Sequence, residues 1–202
     1  MHGLGFLSQK LDPGLVMVFA VGALLLLLGS RRIFRHFLGQ RVLLHLERLS
    51  HGGEGMVYRW DLIEQLVRAR IPAHYAALCS VNLSELKGMC SPEYVAELDL
   101  QFAQWREAGI RYVAEADNVR SVVPIKHYKG SGGVEVLMVW LRFDLVAYLA
   151  EAGNGVLVEG TSKKKDIQIV WELVLSGDRE WVINSSFPGA ELEQAVFSKR
   201  YQ

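Results

Sequence analysis

Cysteine is scarce in this chain, and the commonest catalytic signatures are missing altogether. Its 202 residues hold two cysteines, Cys79 and Cys90. A disulfide-stapled domain of this size would carry more, so a reducing compartment and free, buried thiols are expected. Neither cysteine has another Cys or a His at metal-ligand spacing, so no metal is expected, and no cofactor either. There is no G-x-S-x-G, no phosphate loop, no H-E-x-x-H and no C-x-x-C, and no catalytic residue is nominated from motifs. The Gly-rich GSGG at 130–133 lacks the Lys-Ser/Thr that a phosphate loop needs and is read as a hairpin turn. A surplus of either charge is missing too, with 22 basic against 22 acidic residues. The balance is uneven along the chain. Residues 1–50 carry Lys10, Arg31, Arg32, Arg35, Arg41 and Arg48 against Asp12 and Glu47, so the remainder is net acidic. A net-acidic domain excludes nucleic acid as the expected partner.

Charge is absent altogether from residues 13–30, PGLVMVFAVGALLLLLGS. Eighteen residues at about 1.5 Å rise make a helix of roughly 27 Å, enough to cross a bilayer core. Pro13, Leu15, Phe19, Leu24 and Leu28 mark the expected membrane span. The unbroken leucines at 24–28 are apolar on every face, which a small domain could hardly cover. A cleaved signal peptide fits poorly, because the positive charges come after the run and GSRR is not a small-x-small cleavage site. Arg31, Arg32 and Arg35 then place the rest of the chain on the matrix side of a mitochondrial inner membrane, or the cytoplasmic side of a bacterial one. With Arg41 they form a basic amphipathic stretch expected to meet lipid headgroups, anionic ones such as cardiolipin included. The same helix could equally lead into the next domain and pack on it.

HGGEG at 51–55 breaks the pattern. Val57, Trp60, Ile63, Leu66 and Val67 then recur at helical spacing, and Pro72 is expected to close that helix or open the next. Asn82 to Leu86 reads as one more turn. Ser91-Pro92-Glu93 is a helix start, with a Ser cap, Pro in the first turn and an acid beside it. Gly109 is the expected left-handed stop. After it the period falls from near four to two. Strands are expected at 112–115, 119–127, 134–149, 166–175 and 181–185, with Ser176-Gly177-Asp178 turning the last pair. Helices first and an antiparallel sheet second make the expected class α+β. The expected organisation is 1–30 amino-terminal segment and transmembrane helix, 31–55 juxtamembrane helix and linker, 56–187 folded domain, and 188–202 a carboxy-terminal tail of weak helical character.

HYAALCSVNLSELKGMCSPEYVAEL, then strands, a V-x-x-E-G turn and IVWELVLSGDREWVI, resembles a known pattern. It is similar to the carboxy-terminal domain of the inner-membrane tether of the mitochondrial import motor (the Tim forty-four-like family). That domain is a cone-shaped member of the nuclear-transport-factor-two-like superfamily. Ala76, Asn82, Leu83, Leu86, Ser91, Pro92, Tyr94 and Leu98 match its helices, Gly160 the turn before its paired strands, and Trp171, Leu173 and Trp181 the strands. The resemblance implies a few helices packed on a curved antiparallel sheet. The import tether's long charged amino-terminal region has no counterpart here, and an apolar span stands in its place. The expectation is therefore a resident, non-enzymatic scaffold or accessory subunit of an inner-membrane complex, with lipids and other membrane subunits as partners. Two other readings stand beside it. One is a membrane-tethered small-ligand or lipid-binding protein or enzyme of the same superfamily. Val136, Met138, Trp140 and Phe143 would then line its pocket, and Asp144, His127, Tyr128 and Tyr148 would be the groups to converge. The other is a bacterial secretion-apparatus core component, a family that places its cone on the periplasmic side. Lys163-Lys164-Lys165 reads as a solvated turn, or as a contact for headgroups or an acidic partner.

Overall fold

The computed structural model describes residues 39–47 and 58–188. Contacts divide the chain between Phe37 and Leu38, and every described residue belongs to the second unit. The expected span at 13–30, with Pro13, Leu15, Phe19, Leu24 and Leu28, lies outside the described residues. So do Arg31, Arg32 and Arg35, the breaker at 51–55 and the tail from 189. Among the described residues no helix is long and apolar enough to cross a membrane.

A helical stretch at 39–47 (α1) precedes three helices, α2 (Trp60–Ser80), α3 (Leu83–Lys87) and α4 (Pro92–Glu107). Four antiparallel strands come next, β1 (Ile110–Lys129), β2 (Glu135–Glu151), β3 (Leu157–Leu175) and β4 (Trp181–Pro188), in spatial order 1-2-3-4. The class is α+β, as the change of period implied.

α2 buries Ile63, Val67, Ile71, His74, Tyr75 and Leu78, a stripe at three-to-four spacing. Pro72 neither ends nor starts a helix, contrary to expectation; it sits inside α2. A mid-helix proline costs about 3 kcal/mol. Burying Ile71, Tyr75 and Leu78 around it offsets that, at roughly 1.5–3 kcal/mol for each large apolar side chain. The other helix signals are seen where expected. The Asn82 side chain accepts from Glu85 N–H at 3.2 Å, Ser91 Oγ accepts from Tyr94 N–H at 3.2 Å, and Gly109 comes just after α4 at φ +68°.

β1 runs unbroken where two strands were expected, but it is bent there. Register slips between Asp117 and Ser121, and Asn118 takes φ +45°. β3 starts at Leu157, nine residues before the expected 166. Gly160 is therefore in a strand, opposite Tyr148, and not in a turn. Its φ of +90° and its closeness to β2 explain the glycine: a Cβ there would lie 2.7 Å from Ala147 O.

β2 is the centre of the molecule. Leu137, Val139, Leu141, Phe143 and Leu145 face the helices and join Ile71, Leu98, Phe102, Trp171 and Ile183 in the main core. Met138 and Trp140, of opposite parity, join Ile125 and Val170 in a second cluster on the other face. α1 closes on the β1 side, with Leu46 fully buried in the main core. β4 is capped at its free edge, where Ser91 N–H bonds Ile183 O at 2.8 Å and Ile183 N–H bonds Met89 O at 2.9 Å.

Candidate functional site

The four residues expected to line a pocket do not share one. Val136, Met138 and Trp140 point to the outer face of the sheet, while Phe143 points into the main core beside Tyr75, with ring centroids 5.6 Å apart. The reason is the period of two along β2, which pairs with β3 without a bulge from Val136 to Leu145. All four are buried.

The polar candidates do not converge either. Asp144 lies on the outer face, where Asn118 Nδ2 donates to Oδ2 at 2.9 Å and Arg120 Nη2 to Oδ1 at 2.6 Å. Those two hydrogen bonds hold its carboxyl below the ordinary aspartate range. Its work is structural: it clasps the two residues that form the bend in β1. Arg142, two residues before Asp144, binds Asp166, with Nε 2.9 and 3.0 Å from the two carboxylate oxygens. Tyr128 is also on the outer face, donating to Glu172 Oε2 at 3.1 Å; Asn184 Nδ2 donates to the other oxygen at 2.8 Å. Tyr148 is half-buried opposite Val113 and Gly160.

His127 sits on the helix side, so the sheet separates it from Asp144. It is 3.0 Å from Glu135 Oε2 and packs against the rings of His45 and Tyr58 at 5.2 and 5.7 Å. Burial pushes its pKa down, with Glu135 pulling the other way. Among the described residues no group of three or more His, Cys, Asp or Glu could hold a metal. Both cysteines are free thiols. Cys79 Sγ accepts from Ala114 N–H at 2.8 Å. Burial raises the Cys90 thiol to about 12, which makes it a poor nucleophile.

What remains is surface, and one part of it is unusual. The helices cover β1 and leave the first half of β3 bare. Cys79 and Trp105 pack on β1, the latter stacked on Tyr112 at 5.2 Å, whereas 157–160 and 162–166 of β3 are exposed. Among the described residues no strand pairs with the outer edge of β3 before Ile169. At the hairpin tip Val156, Leu157 and Val158 are 55, 45 and 49% exposed. Three adjacent aliphatic side chains in water are an uncommon use of surface. Further along, Lys163-Lys164-Lys165 lies where β3 slips register against Leu145 and Ala147. Lys164 is tied to Asp117 at 2.5 Å, and its two neighbours extend into solvent. Lysines and bulges blunt an edge strand against indiscriminate pairing. The surface therefore combines an apolar tip with a guarded, basic edge. The sequence conceals the tip because L-V-E-G at 157–160 reads as a turn; the V-L-V run after G-N-G is the signal that points to it.

A cleft of ≈ 530 Å³ lies between the α3–α4 corner and the β3–β4 turn, lined by Lys87, Cys90, Val95, Asp178, Glu180 and Val182 among others. Arg41, the described member of the basic set, is exposed on α1.

No protein-family model matches the chain, and no curated protein matches it in sequence. Among solved structures, the crystal structure of the intermembrane space region of the chloroplast protein ARC6 is similar over 56% of this chain and 83% of that one. The identity is 12% and the TM-score 0.40. A likeness this slight assigns neither family nor function.

Proposed function

We propose that this chain is a non-enzymatic, membrane-anchored scaffold or accessory subunit of an inner-membrane protein complex. Residues 13–30 hold it in the bilayer, and Arg31, Arg32, Arg35 and Arg41 meet anionic headgroups. The folded domain, an import-tether-like cone, stands on the matrix or bacterial cytoplasmic side. Its partners are lipids and neighbouring membrane subunits. The observation that carries the reading is the aliphatic tip at Val156, Leu157 and Val158, at the start of a strand whose outer edge pairs with no other described strand before Ile169. Exposed apolar surface rimmed by charge is what a protein–protein contact leaves behind when the partner is removed. The buried polar groups support the same reading, since Asp144 and Glu172 are consumed by neighbours that shape the sheet.

Protease treatment of sealed membranes tests the topology. The domain should be cut only from the inner side, and digestion from the outer side would remove the proposal. A small-ligand reading has one observation in its favour, the cleft beside Cys90. Substituting Val182 by Trp should fill that cleft without altering assembly size if the scaffold reading holds.

A further inference from the structure

The free edge of β3 is complementary to itself. From Leu157 to Ile167 the strand reads LVEGTSKKKDI, and among the described residues no strand pairs with its outer side before Ile169. A two-fold axis through Ser162 would set two such edges antiparallel, so that residues equally far from Ser162 on either side face one another. Glu159 then stands opposite Lys165, and Leu157 opposite Ile167, each pairing occurring twice. Thr161 meets Lys163, Gly160 meets Lys164, and Val158 meets Asp166, whose carboxylate Arg142 already holds.

Glu159 and Lys165 are placed to make that pairing. Both are exposed, and among the described residues neither forms an ion pair, whereas Lys164 is tied to Asp117. They share a face of β3, because they oppose Leu149 and Leu145 of β2 and the register slip between Thr161 and Lys165 adds two residues, which preserves the alternation. Opposite charges directly across a strand pair attract, and like charges repel.

The lysines select this register. An axis one residue nearer the tip, at Thr161, would put Leu157 and Val158 opposite Lys165 and Lys164. An axis one residue the other way, at Lys163, would put that lysine opposite its own copy, and an axis at Lys164 would add Lys163 against Lys165. The lysines that blunt the edge for other strands leave this one pairing open.

We propose that β3 pairs antiparallel with β3 of a second copy of this chain, about an axis at Ser162, joining the two sheets edge to edge. The inference rests on the reading of the apolar tip as a contact surface, and it names a second copy as the partner that meets the tip.

Cysteine crosslinking in membranes that hold the full chain tests it. Ser162→Cys, oxidised with copper phenanthroline, should give a disulfide-linked dimer on a non-reducing gel, well above the wild-type background from the free thiols Cys79 and Cys90. Glu159→Cys and Lys165→Cys chains should crosslink to each other when coexpressed. Neither should crosslink to itself, because in this register Glu159 and its counterpart lie about 20 Å apart, beyond the reach of a disulfide. Lys165→Glu should cut the Ser162→Cys dimer about tenfold, and adding Glu159→Lys should restore it. Equal yields from self and mixed pairs, a Lys165→Glu loss that Glu159→Lys does not rescue, or a Ser162→Cys chain that crosslinks only to a different protein would each overturn the proposal. If the dimer is absent while the wild-type chain still elutes with other membrane proteins, this inference alone falls. A dimer that elutes with no other protein would overturn the accessory-subunit reading and leave the strand pairing standing.

Discussion

Replacing His74 by Phe should flatten the acid limb of the stability profile. The imidazole is 2% exposed, inside a box formed by Tyr75, Tyr94 and Trp171 at centroid distances of 5.6, 6.1 and 5.5 Å. Cys90 Sγ is its polar neighbour, 3.9 Å from Nδ1. Burial lowers its pKa from 6.5 to about 4. The folded form therefore refuses a proton that the unfolded chain accepts. Above pH 6.5 both states are neutral and no stability is lost. As pH falls from 6.5 towards 4 the unfolded state binds more protons, and folding stability declines. At about 1.4 kcal/mol per pKa unit the full loss is about 3 kcal/mol, of which about 2 kcal/mol has gone by pH 5. Urea melts of the folded domain at pH 8, 6, 5 and 4.5 measure this. Other groups also respond to pH, among them His127, whose pKa burial pushes down, so the informative quantity is the difference between wild type and the Phe variant. The variant should lose about 2 kcal/mol less than wild type between pH 8 and pH 5. Parallel profiles would refute the argument, by showing that His74 is already solvated or protonated in the fold.

Three other substitutions probe the framework. Phe143→Ala removes a side chain that is 0% exposed at the meeting of β2 and α2, and denaturant unfolding should register a loss of about 3–5 kcal/mol. Val81 ends α2 in the left-handed region at φ +53°, which a β-branched residue enters only under strain; Val81→Gly should raise stability by about 1 kcal/mol in the same assay. Gly160→Ala places a methyl against Ala147 O and Tyr148 Cα at 2.7 and 2.9 Å, so hydrogen exchange over 147–161 should quicken while the Leu137–Leu141 segment stays protected.

Local chemistry was legible in the sequence wherever one residue decides the outcome. Ser91 caps, Gly109 stops and Ser176-Gly177-Asp178 turns because each depends on the backbone of its immediate neighbours. Pro72 misled because a local penalty was outweighed by burial that only the tertiary fold supplies. The early start of β3 was hidden by composition: 157–165 mixes Gly, Ser, Thr and Lys and has no buried face to impose alternation. The pocket residues failed for a different reason. Val136, Met138, Trp140 and Phe143 are all apolar, and in a strand buried on both sides apolar character no longer tells which face a residue takes. Asp144 shows the same limit for polar groups. Its partners Asn118 and Arg120 lie more than twenty residues away, brought near by a bend that nothing in the local sequence announces.

The aliphatic tip is the point at which the account is most exposed to contradiction. Membranes carrying the wild-type chain, and a chain with Val156→Ser, Leu157→Ser and Val158→Ser, should be extracted in mild detergent and compared by sizing and mass spectrometry. The scaffold reading predicts that wild type elutes in an assembly with other membrane proteins and that the triple variant, equally stable to heat, elutes alone. A wild-type chain that elutes as a lone monomer, or a triple variant that keeps the full assembly, would contradict it.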